Sequence, residues 1–172
     1  MTGGAPGLRA GWWRRMAALL YEALLVTAIV FIVGFAMLPL VSPRAAANAL
    51  SIPPLPARVA LFCTVFAVLA AYFTWCWSDG RQTLAQKAWR LRIVRADGRA
   101  VDRRGALLRY LAGWIGPALA VGAYLLLAPH GHGAHAAWLV AFNFAFALVD
   151  RERQFLHDRI AGTCIAIAPR RD

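Results

Sequence analysis

Lysine is almost missing from this chain, and carboxylates are few. A single lysine, Lys87, stands beside 18 arginines, and only 8 residues are Asp or Glu. With 16% of residues charged and 60% apolar, the polar side chains are too few to cover an ordinary soluble domain of 172 residues. The sequence also lacks a glycine-rich phosphate loop, a Ser-His-Asp arrangement and glycosidase-like paired carboxylates. No constellation for enzyme chemistry remains, so neither an enzymatic activity nor a cofactor is expected. Cysteine is scarce too: Cys63, Cys76 and Cys164 are an odd number without metal-type spacing, and read as buried apolar thiols instead of a disulfide framework.

A net charge of +11 would direct a soluble protein toward nucleic acid. Here the arginines fall between apolar runs, not on one basic module, and no nucleic-acid motif accompanies them. The expected partners are instead a lipid bilayer with anionic lipids and a second copy of the chain or another membrane protein.

The apolar runs predict an all-α membrane protein of one domain with four transmembrane helices, at about 15–40, 57–77, 107–127 and 135–149. The first run follows Trp12-Trp13, an aromatic pair suited to the headgroup level. It is longer than the apolar core of a cleavable signal peptide and carries Glu22, so it reads as a retained helix. Its length permits tilt or an end before Pro39. Val41–Pro56, with Pro43, Pro53, Pro54 and Pro56, reads as an irregular connection. Between helices two and three, residues 78–106 are basic, with an amphipathic helix near Thr83–Leu91. Leu84, Ala88 and Leu91 share one side of it, and a small strand or hairpin follows at Leu91–Val94 and Ala96-Asp97-Gly98. At the cytoplasmic leaflet, Lys87, Trp89, Arg90 and Arg92 would meet anionic lipid.

Counting Arg and Lys along the chain gives three before helix one, two in the first loop, nine in the central loop, none before helix four and five in the tail. Positive charge therefore concentrates on one side, 17 to two. Both termini and the central loop belong in the cytoplasm, which requires an even number of crossings and supports the short fourth helix.

Within these helices an ionisable residue is by default a functional candidate, because a charge in hydrocarbon costs roughly 2.5–3.5 kcal/mol on insertion scales. Glu22 is such a residue. Arg15 lies seven positions earlier, on the same helical face, with small Ala18 between them. Glu22 is either a proton or cation site or a structural partner of Arg15 or of a donor such as Asn143. Asp150 and Asp158 open the tail, where Asp158 could bridge to Arg14 or Arg15, or lie in a solvated segment of alternating charge. His130, His132 and His135 form a His-x-His-x-x-His loop. Its glycines fix no geometry and no acid or thiol adjoins it, so it reads as a loop and not a metal site.

Four blocks carry a resemblance that covers nearly the whole chain. They are Arg15 with Ala18 and the acid at 22, Gln82-Thr83-Leu84 with Lys87-Ala88-Trp89-Arg90-Leu91-Arg92, Ala106-Leu107-Leu108-Arg109-Tyr110, and Leu156-His157-Asp158-Arg159-Ile160-Ala161-Gly162-Thr163. In these the chain resembles the RDD family of small bacterial membrane proteins, named for an arginine and two aspartates. The resemblance implies Arg15 as the family arginine and Asp158 as the second aspartate. Glu22 stands where the first aspartate is usual, and Arg81 and Ala85 replace glycines usual around Gln-Thr-Leu. With transport suspected for that family, the expectation is a functional ionic site of Arg15, Glu22 and Asp158 at the cytoplasmic edge of a bacterial inner membrane, supporting transport of protons, cations or a small solute; the alternative is a non-transporting scaffold or assembly factor in which the same charges are architectural.

Overall fold

A computed structural model of the chain describes residues 10–41 and 52–168. The expected irregular connection therefore lies mostly outside the described residues. The first helix, α1 (Trp12–Val41), runs through Pro39 instead of stopping before it. Pro39 sits in the last turn, so its missing N–H removes only one bond before the helix ends. Helix α2 (Leu55–Trp77) begins after Pro54, with Pro56 in its first turn, where a proline's fixed φ helps and its absent N–H costs nothing.

The third apolar run starts earlier than its hydropathy alone indicates. Asp102 caps it by accepting from the Gly105 N–H, and α4 (Arg103–Gly113) passes through a tight turn at Trp114 into α5 (Ile115–Leu127). Among the described residues, three helical stretches are long and apolar enough to cross a membrane: Trp12–Leu40, Leu55–Trp77 and Arg103–His130. The fourth expected span is present as a shorter apolar stretch, Gly133–Val149. Its first part, Gly133–Ala141, is a 3-10 helix, and only α6 (Phe142–Val149) is α-helical. Exposed side chains such as Leu24, Phe31, Phe35, Leu125 and Leu126 cover the outer faces, the arrangement expected where lipid is the solvent.

Helices α2 and α4 meet along a seam of rings. Tyr110 sits 5.2 Å from Phe66 and 6.0 Å from Phe73, and its hydroxyl donates to the Phe66 carbonyl. Such pairs hold by area and by edge-to-face attraction together. Cys76 is buried, Cys164 half-buried, and Cys63 faces outward from α2, so only one of the three fits the expectation of a buried thiol.

A small cap closes one end of the bundle. It comprises α3 (Leu84–Ala88), β1 (Leu91–Arg95), α7 (Leu156–Ile160) and β2 (Thr163–Ile167). The expected strand is correct, but its main partner is distant. β1 pairs antiparallel with β2, Leu91 opposite Ile167 and Arg95 opposite Thr163, while Val94 and Ala100 add one bridge around the Asp97-Gly98 turn. An apolar stretch of the tail thus becomes a sheet edge, because β1 alone would leave its backbone groups unpaired. Ala10 N–H donates to Ile165 O, so the entry to α1 is bound to the same sheet.

Helix α3 is shorter than expected and presents a different face. Ala85 and Gln86 point inward, whereas Leu84 is 60% exposed and Ala88 is exposed. The reason is its cap: Thr83 and Gln86 form a reciprocal capping box, which fixes Gln86 on the buried side. Arg90 then adopts φ 52°, the left-handed step that turns the chain from α3 into β1. Lys87, Trp89 and Arg90 are exposed and Arg92 is partly buried.

Candidate functional site

The family blocks converge where the cap meets the helices. Thr83 is the hinge of this arrangement. Its hydroxyl oxygen accepts the Gln86 N–H as a helix cap, and its one hydrogen is donated to Glu22 Oε2 at 2.6 Å. A polar loop that precedes α3 therefore supplies the partner of a carboxylate inside α1. This corrects the expectation of an Arg15 or Asn143 partner for Glu22: Asn143 gives its amide to the carbonyls of Ala112 and Gly113. Those are the carbonyls freed where α4 breaks into α5, so Asn143 satisfies a helix end.

Asp158 is 1% exposed and its partner is also corrected. Oδ1 accepts from Arg109 Nε at 2.9 Å and from the Thr163 hydroxyl at 3.1 Å. Gly162, at φ 62°, makes the second contact possible by turning the chain back from α7 into β2. The tail is tied chiefly to α4 by this pair. Arg14 binds the central segment, donating to the Trp89 carbonyl at 2.7 Å. Arg15, 7% exposed, does reach the tail: its guanidinium lies 5.2 Å from the Phe155 ring and 5.9 Å from Trp12. Arginine suits such a place because its planar, weakly hydrated head stacks on rings.

Arg109 was not singled out by the sequence reading. It is 4% exposed, stacks 4.4 Å over Trp77, and approaches His157 Nε2 at 3.3 Å through Nη2. The signal was available: Leu107-Leu108-Arg109-Tyr110-Leu111 puts a charge into an apolar helix, the same rule that marked Glu22. Since arginine only donates, His157 Nε2 accepts, and the neutral ring carries its hydrogen on Nδ1. Burial, with the Arg109 charge beside it, lowers the His157 pKa to about 4 against an opposing pull from Asp158. The ring is neutral at ordinary pH.

Asp150 belongs to a separate network. Its Oδ1 takes Arg159 Nε and Nη2, both at 2.9 Å, and its Oδ2 accepts the backbone N–H of Gln154 and Glu152. The Gln154 bond, with Arg159, holds its carboxyl below the usual range. This is a turn-stabilising role. The histidine loop is likewise internally tied, His135 Nδ1 lying 3.1 Å from the His132 carbonyl.

Arg15, Glu22, Gln86, Arg109 and His157 line one cavity of about 460 Å³ between α1 and the rest of the bundle. The size is within the range of small-molecule sites. Its deeper walls are apolar, with Val26 and Val30 from α1, Val65 and Leu69 from α2, and Trp114 beyond α4. Each of Glu22 and Arg109 lies in the other's field across it.

Membrane-length apolar helices around a buried ionic cluster define an integral membrane protein. The chain belongs to the RDD family, whose sequence profile matches residues 9–162. No curated protein and no solved structure matches it.

Proposed function

We propose that this RDD-family protein lies in a bacterial inner membrane with both termini and the central loop in the cytoplasm, the Gly133–Val149 stretch making the fourth crossing. There it supports movement of protons, cations or a small solute, with Glu22 as the membrane-embedded titratable group. The observation that carries this reading is Glu22 itself. It is a carboxylate on the wall of a 460 Å³ cavity, held by the Thr83 hydroxyl with that of Tyr72 beside it, and facing a guanidinium. A carboxylate so placed can gain and lose a proton or cation without dismantling the fold, because Arg109 keeps Asp158 as its own counter-charge. Four helices leave little room for a wide path within one protomer, so self-association is part of the reading. The exposed Lys87, Trp89 and Arg90, with Arg92, would rest on anionic headgroups, each basic residue contributing about 1 kcal/mol. No enzymatic step enters.

The test is pH-gradient-driven flux in proteoliposomes. Glu22→Gln is expected to abolish the pH-dependent component; equal flux in both proteins removes Glu22 from the mechanism. The second reading, a scaffold or assembly factor, is favoured by one observation: Arg109, Asp158 and Thr163 form a closed buried network that joins α4, α7 and β2. It predicts no flux from the parent protein, together with co-purification of a membrane partner.

A further inference from the structure

The segment 82–90, which joins α2 to β1 through α3, lies as a strap across the polar end of the cavity. Gln86 and, at the end of the strap, Leu91 line that end opposite Arg15, Ala18 and Glu22 of α1. Left-handed steps flank the strap: Asp79 at φ 55° and Gly80 at 75° precede it, and Arg90 at 52° turns it into β1. Such positions are where a chain absorbs a rotation, and a non-glycine residue keeps that conformation only while its surroundings hold it. Gln82 donates its side-chain amide to the Leu91 carbonyl, so the strap is closed at its base into one piece. Two bonds pin that piece to α1. Arg14 donates to the Trp89 carbonyl, and Thr83 donates to Glu22. The first joins a permanent charge to a backbone oxygen, so only the second involves a group whose charge can change.

We infer that this strap is the cytoplasmic gate of the cavity and that the negative charge on Glu22 holds it shut. The inference rests on Glu22 being the titratable group of the proposed function, and it assigns how access to that group is controlled. The hydrogen count at Thr83 carries it. The single hydroxyl hydrogen goes to Glu22 Oε2 while the oxygen accepts the Gln86 N–H, so the cap of α3 and the carboxylate share one hydroxyl. With Glu22 ionised this bond is charge-assisted, roughly twice as strong as the neutral bond that remains after protonation. The added proton goes to Oε1, the oxygen that Thr83 does not bind, because a hydrogen on Oε2 would displace Thr83's own. The Tyr72 hydroxyl beside the carboxylate donates to the ion and accepts from the acid, and so tolerates both states. The strap is held firmly in only one of them. Around the same end, Arg15 from α1 and Arg109 from α4, the latter paired with Asp158, remain cationic. His157 from α7 is neutral, Cys76 of α2 adjoins Tyr72, and Lys87 of the strap itself is exposed. A proton that reaches Glu22 through the cavity thus unlatches the gate by which it leaves, and its departure latches the gate again.

The test is nitroxide mobility on the full chain in phosphatidylcholine nanodiscs. The label is introduced by Leu84→Cys, 60% exposed on α3, with a control at Leu107→Cys, 41% exposed on α4. Both are made in a Cys63→Ser, Cys164→Ser background that keeps the buried Cys76. On acidification from neutral pH, the ratio of mobile to immobile signal at Leu84 is expected to rise about tenfold, the difference between a charged and a neutral hydrogen bond. Glu22→Gln keeps an acceptor for Thr83 and puts an amide where the acid hydrogen would be, so it should show the raised ratio already at neutral pH. Thr83→Val, which lacks the hydroxyl, should show it at every pH, and Thr83→Ser should follow the parent. The Leu107 label should respond in none of these. Equal mobility of the Leu84 label in the parent and Glu22→Gln at neutral pH would overturn the inference. So would a pH response that survives Glu22→Gln, or a Leu107 response as large as that at Leu84, which reports general loosening. Should Glu22→Gln fail to fold, the parent titration decides alone, and a flat Leu84 response overturns the gate. Flux measured on the same variant separates the two proposals: lost flux with an immobile strap removes the gate and keeps Glu22 as the carrier, whereas retained flux with a released strap removes Glu22 from transport and keeps the latch.

Discussion

Substituting Asp158 by Asn is the sharpest probe of how the tail is held. The change keeps the side-chain shape and an acceptor for Thr163, but it leaves the Arg109 guanidinium, 4% exposed, without its counter-charge. Removing one partner of a buried ion pair costs about 3–5 kcal/mol, most of it the penalty of the stranded charge. For a chain of this size 1 kcal/mol moves the melting temperature by roughly 2–4 °C, so a drop of roughly 6–20 °C is expected. Arg109→Gln should cost a similar amount, because Asp158 is then the stranded charge. The double variant, Arg109→Gln with Asp158→Asn, keeps a neutral hydrogen bond and removes both charges. It should therefore be more stable than either single variant. Thermal unfolding in detergent, followed by size-exclusion recovery or tryptophan fluorescence, gives the cycle directly. If the two single effects simply add in the double variant, or if Asp158→Asn melts within 2 °C of the parent by the same scale, the pair is not the tie between α4 and α7.

Three further outcomes follow from local geometry. Because the His157 pKa is lowered to about 4 from 6.5, the unfolded chain binds its proton first as pH falls. Stability should decline between about pH 6.5 and 4, by about 3 kcal/mol over the window, and His157→Gln should flatten that slope in a melting series. A Cβ at Gly116 would meet the backbone carbonyl oxygens of Val140 at 2.7 Å and Leu139 at 3.0 Å. Gly116→Ala should thus cost about 1–3 kcal/mol, whereas Gly122→Ala, with open space around it, should not destabilise; comparative melting decides. Thr83→Val removes both a helix cap and the donor to Glu22, and should lose about 1–2 kcal/mol while Thr83→Ser retains most of it.

The apolar runs, the aromatic ends and the one-sided arginines were sufficient to give a multi-helix membrane protein, because hydrocarbon imposes a length and a composition on any span that can be read without coordinates. The family blocks gave Arg15, Glu22 and Asp158 as a set. What the linear order concealed was pairing. Thr83 is 61 positions from Glu22 and Arg109 is 49 from Asp158, and no local period relates them. Helical spacing made Arg15 the obvious partner for Glu22, yet both residues close on groups from other elements. The same holds for β1, whose sequence announces a strand but not that its mate is Thr163–Ile167. Periodicity reports which face a residue occupies. Only the packing of α3, α4 and α7 against α1 decides which charges meet, since a buried charge takes whichever counter-group or donor the tertiary fold brings within reach.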